Sequence, residues 1–191
     1  MLLQPPPPPA EVLQVRPEWP VFAGSDPLLL GVLGWTLDHS PTLARVFDRL
    51  LKAEPKARYR LTQGFDKNYG RLVVRSDDEF IHVEIQVPML AWKRCGDAVE
   101  PWLATAIFLA ATTAERGDLR GTPNPDHFKF LSVTRNAAFA LQKEVRKELE
   151  AADPVRFKDM PYGWTLYVNG FRAEPGRTRP SQQRPLPPGL N

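Results

Sequence analysis

The residues able to do chemistry are few and scattered. His39, His82 and His127 stand more than forty residues apart, and none has a second histidine or cysteine at ligand spacing. Zinc sites draw paired ligands from short stretches, so each histidine reads as a helix-end, strand-face or first-turn residue instead. Cys95 lies in Trp92-Lys93-Arg94-Cys95-Gly96-Asp97, beside two cations and ahead of a helix start. Those surroundings favour a thiolate, but no histidine stands near it in sequence to act as its base, and it reads as a loop cysteine. The acidic run Asp77-Asp78-Glu79 could attract a divalent cation, and a solvated hairpin tip explains it equally. Glu115 and Asp118 offer carboxylates for acid–base work at the end of a helix, where surface residues of the same type are also normal. There is no glycine-rich phosphate loop. The expectation is no catalytic residue, no metal and no cofactor.

These groups are carried by elements that the hydrophobic spacing outlines. Asp26-Pro27 precedes an apolar run from Leu28 to Leu37, a short buried helix or a turn-rich segment. Ser40-Pro41 is a helix start, because serine accepts from an orphan N–H and proline fits the first helical position. Leu43, Val46, Phe47, Leu50 and Leu51 then form a helical stripe that Pro55 closes. Tyr59 and Leu61 alternate with Arg58, Arg60 and Thr62 as a strand. Arg71–Ser76 and Phe80–Val87 flank the acidic turn, and Ile81, Val83, Ile85 and Val87 alternate with His82, Glu84 and Gln86. That period of two predicts an antiparallel hairpin with one wet face. Asp97 and Glu100 have capping-box spacing ahead of an apolar helix from Pro101 to about Glu115. Asn124-Pro125 opens a long helix to about Ala152, with Phe128, Leu131, Ala138, Leu141, Val145 and Leu149 inward. Trp164–Phe171 reads as a last strand.

Helices, then strands, then helices argue for an α+β fold: a small antiparallel sheet with a hairpin, packed on a buried helix and a long amphipathic helix. The chain of 191 residues is 42% hydrophobic and 25% charged, enough apolar side chain for one core. No run reaches the length of a membrane span, and the N-terminus reads as neither a secretory signal nor an anchor. One cysteine excludes an internal disulfide, which points to a reducing, cytoplasmic setting. The 21 prolines concentrate at the ends, with eight in 1–27 and five in 172–191. The expected organisation is a proline-rich extended arm over 1–25, a single globular domain over 26–171 and an Arg/Pro-rich tail over 172–191. Four arginines against Glu174 give that tail a net +3, equal to the formal excess of the whole chain. A body so nearly neutral is poorly equipped to neutralise several phosphates, so nucleic acid ranks below protein as a partner.

The layout resembles the zincin-like metallopeptidase domains of bacterial toxins and effectors. The resemblance rests on Ser40-Pro41-Thr42-Leu43 leading into Phe47-Asp48-Arg49-Leu50-Leu51, the strands from Arg58 to Val87, and the helix Leu103-Ala104-Thr105-Ala106-Ile107-Phe108-Leu109-Ala110. The family helix reads Leu-Ala-His-Glu-x-x-His-Ala. Thr105 therefore stands where the first zinc histidine would be, Ala106 where the catalytic glutamate would be, and Leu109 where the second histidine would be. Zinc hydrolysis needs two ligands at i and i+4 and a carboxylate beside them, and these three side chains supply none. The resemblance implies a pseudo-enzyme.

The leading reading is a non-catalytic interaction or assembly subunit whose proline-rich arms dock on a protein partner. Extended proline segments lose little entropy on binding. Arg177, Arg179, Arg184, Pro185, Pro187 and Pro188 are its binding candidates, and Arg184-Pro185-Leu186-Pro187-Pro188 resembles the ligands of aromatic grooves. The alternatives are an enzyme or toxin with a site assembled from scattered residues, and a weakly basic nucleic-acid-associated accessory protein.

Overall fold

A computed structural model describes residues 16, 18–64, 71–88, 99–117, 119, 127–157 and 172–175. A 3-10 turn, Trp19–Phe22, precedes helix α1 (Pro27–His39) and helix α2 (Pro41–Ala53). Both helices start where proline follows a polar cap. The Asp26 carboxylate accepts from the Leu28 and Leu29 amides at 2.8 and 3.3 Å, and Ser40 Oγ accepts from the Leu43 amide at 3.1 Å. Strands β1 (Ala57–Gly64), β2 (Arg71–Ser76) and β3 (Ile81–Pro88) follow. Then come helix α3 (Val99–Glu115), the long helix α4 (His127–Ala152), a single turn α5 (Pro154–Phe157) and strand β4 (Arg172–Pro175).

The fold is α+β. The β2–β3 hairpin is antiparallel, with Val74 opposite Val83 and Leu72 opposite Ile85. The sheet as a whole is mixed, in the order β1-β3-β2-β4, because β1 runs parallel to β3 and β4 parallel to β2. This corrects the expectation of an antiparallel sheet, and the connection length explains the difference. Six residues, 65–70, link β1 to β2 at the same end of the sheet. They must cross two strand spacings, about 9.6 Å, which leaves between the two strands a slot that β3 fills. β3, the strand with the most regular alternation, is the one paired on both sides.

α3 is the centre of the body. It packs against α2 and α4 and touches α1 and β3. All its residues except Thr112 and Glu115 are buried, as its unbroken apolar run requires. It ends at Gly117, whose φ of 75° suits glycine and whose amide donates to the Ala114 carbonyl. Leu61, Leu72, Val83 and Ile85 supply the sheet's contribution to the core.

The body begins ahead of residue 26. Phe22 is fully buried and stacks on Phe47 and Tyr59, each at 5.4 Å between ring centroids, and Trp19 meets Phe22 edge-on. The 1–25 arm is corrected accordingly: the apolar side chains among Trp19–Phe22 give this stretch something to bury. The following residues also close the outer edge of β1. The Asp26 amide donates to the Leu61 carbonyl at 2.8 Å, and the Leu61 amide donates to Ser25 Oγ at 2.9 Å. At the other end, Arg172–Pro175 pairs with Arg71–Val74, so the first four residues assigned to the tail belong to the sheet. The strand expected over 164–171 lies outside the described residues.

In α4 the stripe is shifted from the expected one. Ala138, Gln142, Val145 and Leu149 are buried, whereas Leu141 is only half-buried at the margin of the core. Phe128 and Leu131 fall where side chains are not described. A polar residue takes the inward position at 142 because a hydroxyl across the interface receives it.

Candidate functional site

That hydroxyl belongs to Thr105. Its Oγ1 donates to the Pro101 carbonyl at 3.1 Å and accepts from the Gln142 amide of α4. Thr105 is 1% exposed, Ala106 is fully buried and Leu109 is 8% exposed. The three positions of the zincin resemblance thus sit within the packed centre, and Thr105 is spent on joining two helices. Alanine and leucine offer no donor atom to a metal, and the residues present do not fit a zinc ion.

The other sequence candidates lie apart. His39 is exposed at the end of α1, with Nδ1 2.7 Å from the Trp35 carbonyl and its ring stacked on Trp35 at 4.5 Å. His127 opens α4. Glu115 forms a two-pronged pair with Arg49 of α2, at 2.9 and 2.7 Å. Asp118, Cys95, Asp97, Arg177, Arg179, Arg184, Pro185, Pro187 and Pro188 lie outside the described residues. Glu100 is not at a helix cap. It is 1% exposed, paired with Arg156 of α5, and its Oε2 has no hydrogen-bond partner. Burial pushes its carboxyl above the usual range, and the Arg156 charge opposes that shift. Among the described residues no group of three His, Cys, Asp or Glu could hold a metal ion.

The acidic turn is committed to itself. Asp77 Oδ1 accepts from the Glu79 and Phe80 amides at 2.9 and 2.6 Å, and Oδ2 lies 2.6 Å from His82 Nε2. The Phe80 amide, the His82 ring and the Glu79 amide hold the Asp77 carboxyl down to about 2. This is an aspartate-closed turn at a hairpin tip, with its lone pairs used locally.

What the strands bring together is the sheet face turned away from the helices. Register puts Arg58, His82 and Arg75 in one row and Arg60, Glu84 and Val73 in the next. Arg60, His82 and Arg75 are exposed. The Arg58 guanidinium lies 4.1 Å from the Phe80 ring centroid and donates to the Pro55 and Ala57 carbonyls. Arg60 Nε donates to the Gly24 carbonyl at 3.0 Å, which leaves its terminal nitrogens outward. Glu84 accepts from Thr62 and Gln86 at 3.0 and 3.2 Å. Such a face can hold anions by paired hydrogen bonds from its guanidinium groups. Its wet character was legible in the alternation of β3. The arginine row was not, because it forms across strands whose order the sequence does not reveal.

No family model, no curated protein and no solved structure matches the chain. Geometry and composition therefore carry the functional argument. Among the described residues no helix is long and apolar enough to cross a membrane.

Proposed function

We propose that the protein is a non-catalytic interaction or assembly subunit that docks on a protein partner through the proline-rich segments flanking its body. The observation that carries the reading is the way these segments are attached. Arg16, next to the N-terminal segment, donates to the Gly34 carbonyl at 3.2 Å and pairs with Asp38 of α1. The C-terminal segment continues from β4, whose backbone is fixed to β2. Extended, arginine-bearing ligand segments are thus presented from anchored points, which lowers the entropy lost when they bind. The accompanying proposal, from the zincin resemblance, is that the body is a pseudo-enzyme core with Thr105, Ala106 and Leu109 in the places of its chemistry.

The test is a titration of the full chain with a panel of aromatic-groove, SH3-type domains, followed by fluorescence anisotropy. At least one domain should bind, and Arg184→Ala combined with Pro187→Ala should weaken it tenfold or more. Equal binding by a chain lacking 176–191, or no binding by any domain, overturns the docking mode through that tail.

A further inference from the structure

We infer that the exposed sheet face is a second docking surface, and that its occupant is an acidic, extended segment of the partner protein. The inference rests on the interaction-subunit reading and adds a place and a chemistry to it. Arg58, Arg60 and Arg75 point away from the core on two neighbouring rows, and Glu84 is the one carboxylate between them on the described face. Glu84 is half-buried and bonded by Thr62 and Gln86, so its charge is partly screened from an incoming chain by two amphoteric neighbours. The outward face is positive, while the described body as a whole is close to neutral.

Spacing and composition select the occupant. Alternate residues of a strand stand about 6.6 Å apart, so Arg58 and Arg60 match alternate carboxylates of an extended peptide. Guanidinium groups bind carboxylates with two parallel hydrogen bonds, and Arg75 has none of its nitrogens bound to a neighbour. A nucleic-acid strand would need aromatic platforms for its bases. The described face offers one aromatic ring, Phe80, and the Arg58 guanidinium already covers it.

Topology joins this surface to the C-terminal segment. β4 runs parallel to β2, with Pro175 opposite Val74, so the chain leaves the sheet beside Arg75, at the end where the Arg58–His82–Arg75 row lies. Arg177 and Arg179 follow two and four residues later. An acidic partner segment that engages the sheet face is thus delivered next to the tail that docks on the same partner.

The experiment uses the full chain and two fluorescent probes of equal charge at low salt: a twelve-residue peptide of alternating Glu and Ser, and an oligothymidylate. The peptide should bind, and Arg60→Glu with Arg75→Glu should weaken it tenfold or more. Lys143→Glu with Lys147→Glu, on the exposed side of α4, should leave it within twofold. The oligothymidylate should bind more weakly than the peptide. Absence of peptide binding, equal losses in both variants, or tighter binding of the oligothymidylate overturns the inference. SH3-type binding that depends on the tail but ignores Arg60 and Arg75 would leave the interaction-subunit reading standing while the sheet-face inference falls.

Discussion

Tyr59 shows how one buried hydroxyl can be read through pH. It is 2% exposed, and its Oη donates to the Leu50 carbonyl at 3.2 Å, tying β1 to the end of α2. Burial pushes its hydroxyl well above the ordinary tyrosine range, with the Glu54 charge adding to the shift. An acid whose folded value is raised stabilises the fold fully below its unfolded value, and that contribution is lost as pH rises beyond it. Tyr59→Phe should cost about 1–2 kcal/mol near neutral pH, because the Leu50 carbonyl loses its partner. Denaturant melts at rising pH should show this gap shrinking above about pH 10, where the wild type begins to weaken. A gap of constant size across that range would place Tyr59 in a wetter setting than the structure does. Thr105 and Gln142 form a second case. Thr105→Ala leaves a buried amide unpaired and should cost about 1–3 kcal/mol, whereas joint replacement by Thr105→Val and Gln142→Leu should recover part of that loss. If the double variant is as unstable as the sum of both single ones, the two side chains are not partners.

At the scale of elements, α4 separates what spacing reveals from what it hides. A 3.6-residue period finds the helix and its buried side to within one residue, because Val145 and Leu149 are inward on either choice of stripe. It cannot decide between Leu141 and Gln142, since that choice depends on a hydroxyl on another helix. Leu149 is fully buried and Leu141 only half-buried. Leu149→Ala should therefore cost about 2–5 kcal/mol, and Leu141→Ala clearly less. Equal losses in denaturant melts would return Leu141 to the inward stripe. The caps at Asp26 and Ser40 were legible for a simpler reason: their partners lie within three residues. Strand order was not. The hairpin follows from alternation and a short turn, but the insertion of β3 between β1 and β2 is decided by a connection that spacing alone does not orient. The arginine row of the sheet face inherits that limit, because no two of Arg58, His82 and Arg75 are near neighbours in the chain.

For the whole molecule, the question is where the body stops and the docking segments begin. Composition places the first boundary at residue 25 because prolines dominate up to there, yet proline content measures backbone restriction and not burial. Trp19 and Phe22 sit within that proline-rich stretch and still enter the core, and Phe22 has rings stacked on both faces of the α2–β1 junction through Phe47 and Tyr59. Two truncations should consequently behave differently. Removal of 1–15 takes away no described contact and should leave the melting temperature nearly unchanged. Removal of 1–25 deletes Phe22, the Arg16 tie to α1 and the Ser25 cover of the β1 edge. Loss of one buried phenylalanine side chain alone costs about 3–5 kcal/mol, a large share of the stability of an ordinary domain. The shorter chain should melt many degrees lower and expose the β1 edge to association with other chains. Removal of 176–191 should resemble the first truncation in stability, whereas removal from 172 onward also strips β4 from β2. Thermal melts of the four chains, read beside their sedimentation, check the boundary directly. A 1–25 deletion that melts with the wild type would make the Trp19–Phe22 turn a bystander and return the boundary to residue 25.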